Sequence, residues 1–280
     1  MRQLAAPYSV LMPLAPWESP ANVKEALESL RSQTCQPTQV VVSCDGAPSG
    51  DLRLVLERSG LPLDVVVGPG LEGVGPVLAR GLPLCEQEFV IRADADDISV
   101  PERCEKQIEW LIEHPEGIAL GSRITEFTDG DELVCGCREI PVGPSAVMQW
   151  ARSRNPINHP SAAIRKSVVL AAGSYRSKPG FEDYDLWLRL LARYGAGAVA
   201  NLPESLVWVR VGPAHLARRH GCRYALAELR FFWACGRERL LAWPDVLLAL
   251  LLRMPLRLLP ASVLARVMAR TRSGNLRQER

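Results

Sequence analysis

The sequence predicts an α/β fold with a mostly parallel central sheet and helices on both faces. Three observations carry that expectation. Strand-like and helix-like segments alternate four times between residues 9 and 93. The strand segments are apolar along their length and do not alternate with polar residues, as in sheets buried on both faces. The chain has 280 residues, 48% hydrophobic and 23% charged, which is ample apolar material for a core.

The elements follow in order. SVLMP, ending at Pro13, is a short strand, and Ser19-Pro20 opens a helix with Val23, Ala26, Leu27 and Leu30 at helical spacing. QVVVSC over 39–44 is a β-branched strand that ends on the Asp45-Gly46 turn. Residues 51–59 read as helix, 63–67 as strand, 74–85 as helix and 88–93 as strand. The capping pattern Ser99-x-x-Glu102, with Pro101 inside it, opens a helix to about His114. Strands and a hairpin are expected over 118–140, a helix over 145–153 and a strand over 161–164. An amphipathic helix covers 183–194, and strands follow at 198–201 and 205–211. Neither repeats nor linkers interrupt the chain before residue 212. One αβ domain over 1–211 and a helical tail over 212–280 are therefore expected.

Charge is unevenly placed. The formal net charge is +2, yet from Leu240 onward seven Arg and two acids give +5, leaving −3 on the body. A basic tail of this kind suits an anionic surface, and nothing points to nucleic acid. Residues 246–268 are apolar but broken by Arg253, Arg257, Arg266 and two prolines, too short between charges to span a membrane. Basic amphipathic helices lying on headgroups are expected there, the alternative being that they pack on the domain. The eight cysteines form no Cys-x-x-Cys pair, and no charged and apolar leader opens the chain. Both features suit a reducing cytoplasm, with the protein peripheral on the inner face of the cell membrane.

The chemistry begins at FVIRADADDISVPE, residues 89–102, where Asp94, Asp96 and Asp97 crowd the end of a strand. At about 4 Å and an effective dielectric of about 20, each like-charged pair costs roughly 4 kcal/mol. Such sheets bind ligands at strand carboxyl ends, where Asp45 also falls. A solvated turn is the plain alternative. An EF-hand fails because Ile98 and Ser99 occupy positions that must ligate and turn. A hard divalent cation with a diphosphate removes the repulsion, and Arg80 and Arg92 are within reach of such a diphosphate.

Gly68-Pro69-Gly70-Leu71-Glu72-Gly73 also fits the dinucleotide pattern G-x-G-x-x-G. It follows the third strand, however, and Pro69 removes an N–H that would face a pyrophosphate. A second acidic set, Glu182 and Asp183, opens the helix in GFEDYDLWLR, either as simple capping or as a base for an acceptor hydroxyl. His159, in Asn158-His159-Pro160-Ser161, and Trp187 are candidates for the acceptor side.

SVLMP, EALESLRSQT, VVVSCDG, RADADDISVPERCEKQ, INHPSAAIRKS and FEDYDLWLRLLARYG together resemble the family 2 nucleotide-sugar glycosyltransferases of the GT-A fold. The similarity covers about residues 8–211 and is nearest to the amylovoran-type group that builds bacterial exopolysaccharides. It implies that Pro13 and Asp45 line a base pocket and that Asp94 lies near the ribose or sugar. It further implies that Asp96, with Asp97, binds Mg²⁺ or Mn²⁺, and that Asp183 of the Glu182-Asp183 pair is the general base. The implied reaction inverts the anomeric centre of a nucleoside-diphosphate sugar during transfer to a saccharide or lipid-linked hydroxyl. Two stretches depart from the pattern: Leu14-Ala15-Pro16-Trp17 after the first strand, and Ala79 beside Arg80 where the family carries asparagine. A nicotinamide-dependent oxidoreductase and a non-catalytic nucleotide-sugar-binding relative stay open as alternatives at this level.

Overall fold

The computed structural model describes residues 6–128, 134–212 and 221–258. The tip of the expected hairpin and the tail beyond Leu258, with Arg266, lie outside these residues. The chain opens with β1 (Tyr8–Leu14), α1 (Pro20–Arg31), β2 (Gln39–Cys44), α2 (Gly50–Glu57), β3 (Leu63–Val67), α3 (Val74–Gly81) and β4 (Phe89–Arg92). It continues with β5 (Ile98–Ser99), α4 (Arg103–Glu113), β6 (Ala119–Phe127), β7 (Val134–Arg138), α5 (Pro144–Ala151), β8 (Ala163–Arg165) and α6 (Lys166–Ala171). It ends with α7 (Glu182–Tyr194), β9 (Val199–Arg210), α8 (Cys222–Arg237) and α9 (Trp243–Leu258).

The sheet runs β3-β2-β1-β4-β8-β6-β9-β5, with β7 paired to β6. The first four strands are parallel, as the apolar runs predict. Beyond β4 the sheet is mixed, because β8 enters antiparallel to both β4 and β6. The β1–β4 junction is thus flanked on one side by strands that arrived through crossover helices and on the other by strands of the second half. Its carboxyl end is where the acidic cluster falls.

Apolar side chains fill both faces of the sheet. On one face Val23, Leu27 and Leu30 of α1 pack with Leu52 of α2, Ile108 of α4 and the β1 and β2 side chains. On the other, Leu78, Leu186, Trp187 and Leu190 pack with Phe231, Phe232 and Val246 from α8 and α9. The described part of the expected tail therefore contributes to the main core.

Three expected boundaries shift for local reasons. Ser99 does not cap α4; it sits in β5, paired with β9, and its hydroxyl accepts from Arg103 Nη1 at 2.9 Å. The helix over 74–85 stops at Gly81 and tightens into a 3₁₀ turn at Leu82–Leu84, where Pro83 removes an amide donor. The two strands expected over 198–211 are one strand, β9, whose register against β6 slips next to Pro203.

Arg103 ties the two halves together. Only 1% exposed, it donates to Arg92 O at 2.6 Å, Pro160 O at 3.0 Å, Ser99 Oγ at 2.9 Å and Gln107 Oε1 at 3.0 Å. Those acceptors belong to the end of β4, the turn before β8, β5 and α4. Truncation strands several of them without a donor. Arg103→Ala is therefore expected to lower the unfolding free energy by about 3 kcal/mol, read from the urea midpoint at constant slope.

Candidate active site

The carboxyl ends of β1, β2 and β4 open onto two adjoining cavities. The smaller, about 290 Å³, is walled by Pro13 at the end of β1, by Ala15 and Trp17 just after it, by Asp45 after β2, and by Leu71 and Val77. The larger, about 450 Å³, holds Asp94, Asp96 and Asp97 from the loop after β4, with Glu182 and Asp183 from the start of α7. Asp94, Asp96, Glu18 and Val74 line both, so the two form one continuous groove.

In the aspartate cluster, each residue offers a carboxylate oxygen, and the three lie within 4.8 Å of one another. Burial, followed by the charge of Asp94, raises the pKa of Asp96. Burial and the charges of Asp94 and Asp96 push Asp97 well above the usual carboxylate range. Arg92, 5% exposed, makes a short ion pair with Asp94. Asp97 accepts from the Arg210 backbone N–H at 2.9 Å, while the Arg210 guanidinium donates to Asp96 O at 3.1 Å. The loop is thus fastened to the end of β9, and the protein supplies less positive charge than three carboxylates require. An all-oxygen set of this size suits a hard divalent cation such as Mg²⁺ or Mn²⁺.

At the second set, the N-terminus of α7 faces the groove. Gly75 of α3 lets that end approach closely, since a Cβ there would meet Arg176 O at 2.7 Å and Glu182 Cβ at 3.1 Å. Asp183 accepts from the Asn155 side chain and from the Tyr184 N–H at 2.7 Å, and its Oδ2 lies 4.0 Å from His159 Nδ1. Burial, then the charge of Arg92, holds His159 well below the ordinary histidine range, so the imidazole beside Asp183 is neutral. Burial, with the charge of Asp183, pushes Glu182 up to about 7.

The other expected residues divide. Pro13 and Asp45 line the smaller cavity, and both Asp45 oxygens also accept from the loop, Glu72 N at 2.9 Å and Gly73 N at 3.1 Å. Arg92 and His159 line the larger cavity. Arg80 lines neither cavity. It pairs with Glu72 and donates to Cys44 O at 3.3 Å. Trp187, expected on the acceptor side, is a correction: it is fully buried in the core and touches His159 edge-on from behind, centroids 6.2 Å apart. It lies one turn beyond Asp183 on the same side of α7, deep under the groove, while Asp183 stands at the open end of the helix. The Gly68–Gly73 pattern is accounted for by packing. A Cβ on Gly68 would strike the Arg80 guanidinium, and Gly70 lies against Gly46.

Several groove residues were not singled out from sequence. Asn155 orients Asp183, and Arg210 anchors the aspartate loop. Asn155 had a usable signal, standing four residues before His159 in NPINH. Tyr224 of α8 with Arg253 and Arg257 of α9 complete the wall. The arginines were expected on lipid headgroups; both instead turn inward onto Glu228, which is fully buried and requires a counter-charge. No helix among the described residues is long and apolar enough to cross a membrane.

The mannosyltransferase PcManGT of Pyrobaculum calidifontis, solved with GDP-Man and Mn²⁺, superposes with a TM-score of 0.60 at 17% identity, over 96% of this chain and 82% of that one. That likeness defines the fold as GT-A. The model of glycosyl transferase family 2 matches residues 9–171. The amylovoran biosynthesis glycosyltransferase AmsE of Erwinia amylovora is 35% identical over 95% of this chain and 100% of its own. A UDP-Gal:α-D-GlcNAc-diphosphoundecaprenol β-1,3-galactosyltransferase of Escherichia coli is 30% identical over 91% and 92%. The chain belongs to glycosyl transferase family 2, which sets aside the oxidoreductase alternative.

The raised Glu182 pKa has a consequence for stability. With a folded value of about 7 against an ordinary 4.5, the folded state holds the extra proton, and stability falls as pH rises through that window. Glu182→Gln removes the cost of ionisation. Its melting midpoint is therefore expected to exceed the parent's at about pH 7.5 and to match it at about pH 5.

Proposed function

We propose that the protein is an inverting, divalent-metal-dependent glycosyltransferase that moves a sugar from a nucleoside-diphosphate donor to a hydroxyl of a saccharide or lipid-linked acceptor. The observation that carries this reading is the single groove with two carboxylate sets, one beside an apolar pocket and one at a helix N-terminus. The activities of the two relatives, amylovoran biosynthesis and galactosyl transfer to a lipid diphosphate, support surface polysaccharide assembly as the setting. The GDP-Man and Mn²⁺ of the structural neighbour support the donor type and the metal.

The apolar walls at Pro13, Ala15, Trp17 and Leu71 take the base, and Asp45 stands at its edge. Asp94, steered by Arg92, faces the ribose or sugar. Asp97 is committed to β9, so Asp96 is the principal carboxylate for the cation. When bound, Mg²⁺ or Mn²⁺ supplies positive charge at the departing diphosphate. Asp183, held by Asn155 and beside neutral His159, removes the acceptor hydroxyl proton. The hydroxyl oxygen bonds to the anomeric carbon from the face opposite the diphosphate, whose C–O bond breaks with its electron pair. Glu182, protonated for much of the time near neutral pH, provides a hydrogen-bond donor beside that base.

Released nucleoside diphosphate, measured across a panel of nucleotide sugars with Mg²⁺ or Mn²⁺, tests the activity. Asp183→Asn is expected to lower kcat for transfer by about 10²–10⁴-fold with little change in donor KM. Full activity in that variant contradicts the assignment, and no turnover of any donor favours the non-catalytic alternative. In thermal melts, Mn²⁺ is expected to raise the midpoint of the parent. Asp96→Asn, relieved of one like charge, is expected to melt about 2–4 °C higher without metal and to lose most of the Mn²⁺ effect.

A further inference from the structure

The helix α9 has two unlike faces. Val246 and Ala249 are fully buried, and Arg253 and Arg257 continue that side at helical spacing into the groove. The other side exposes Leu247, Leu248, Leu251 and Leu252. An ordinary surface helix carries its charges outward and its leucines inward.

The inward arginines are built in. Arg253 donates to Glu228 Oε1 through Nε at 2.6 Å and Nη2 at 2.5 Å, and Nη1 donates to Ser153 O at 3.1 Å, which uses three of its five N–H groups. Its guanidinium lies 5.7 Å from the centroid of Phe232, whose ring is 6.0 Å from that of Tyr184. Tyr184 directly follows Asp183, so one aromatic layer joins the arginine to the base. Arg257 donates to Glu228 Oε2 at 3.0 Å and lies 4.7 Å over Tyr224. A guanidinium has five N–H donors in a planar fork, which suits phosphate oxygens while part of the fork stays fixed to protein. Because α9 supplies a different wall from the aspartate loop, this positive end is set apart from the cluster assigned to the donor diphosphate.

We propose that Arg253, supported by Arg257, forms a phosphate subsite for the acceptor, and that the acceptor is a saccharide joined through phosphate to an apolar chain. This rests on the transferase reading above. The saccharide then extends toward Asp183, the phosphate meets Arg253, and the chain runs over the leucine face of the same helix. Arg253 positions the acceptor and takes no part in the proton transfer.

The test uses the full chain, a nucleotide sugar found active in the panel, and three acceptors carrying one sugar: an alkyl diphosphate glycoside, the sugar 1-phosphate without the chain, and an alkyl glycoside without phosphate. The parent is expected to show its lowest KM for the alkyl diphosphate. Arg253→Ala is expected to raise KM for both phosphate-bearing acceptors about tenfold more than for the alkyl glycoside, with donor KM held. Arg253→Lys is expected to recover part of the loss. Equal parental KM for acceptors with and without phosphate overturns the subsite without needing any variant to fold. A rise confined to donor KM also overturns it. Equal binding of the alkyl diphosphate and the sugar 1-phosphate overturns the lipid-linked assignment. Failure to turn over any donor strikes the transferase reading, a separate outcome.

Discussion

The structure depends on how a dense negative charge is held at the end of β4. Three carboxylates within 4.8 Å of one another repel, and burial raises the cost. The protein answers with arginines whose positions are fixed by the fold. Arg92 faces Asp94, and Arg210 clamps the loop through its backbone and guanidinium. Arg103 carries no carboxylate partner in its hydrogen-bond set and joins β4 to the turn at Pro160. The cluster is thereby fastened to its neighbours and still short of positive charge, a condition that a divalent cation would satisfy.

The same arrangement explains why the second half of the sheet is mixed. β8 follows the Asn158–Ser161 turn and pairs antiparallel with β4, which brings His159 beside Asp183. β9 then returns to place Arg210 at Asp97. The parallel half thus supplies the smaller pocket and the aspartate loop, while the mixed half supplies Arg210, which holds that loop, and His159 beside Asp183.

Much of this was legible in the sequence. Apolar runs and helical spacing gave the first seven elements, and the acids at strand ends marked the groove. Trp187 was misread because its depth decides its role, one turn past the open start of α7, and depth is not visible in a short motif. Ser99 matched a capping pattern yet was drawn into β5 by a partner more than 100 residues away, Val207 of β9. The arginines of α9 were placed on headgroups because a basic amphipathic stretch reads that way. Their true direction is set by buried Glu228, 25 and 29 residues earlier in the chain. Long-range partners of this kind leave no local signal. With α8 and α9 packed into the main core, the helical region behaves as a wall of the groove.

If Asp183 is the base in the proposed reaction, the acceptor oxygen displaces the diphosphate in one step and the anomeric centre inverts. Proton NMR of the glycoside formed from an α-linked nucleotide sugar reads the outcome. A β-linked product is expected from the first turnovers onward. An α-linked product rules out direct displacement, because retention requires a different arrangement of the reacting groups.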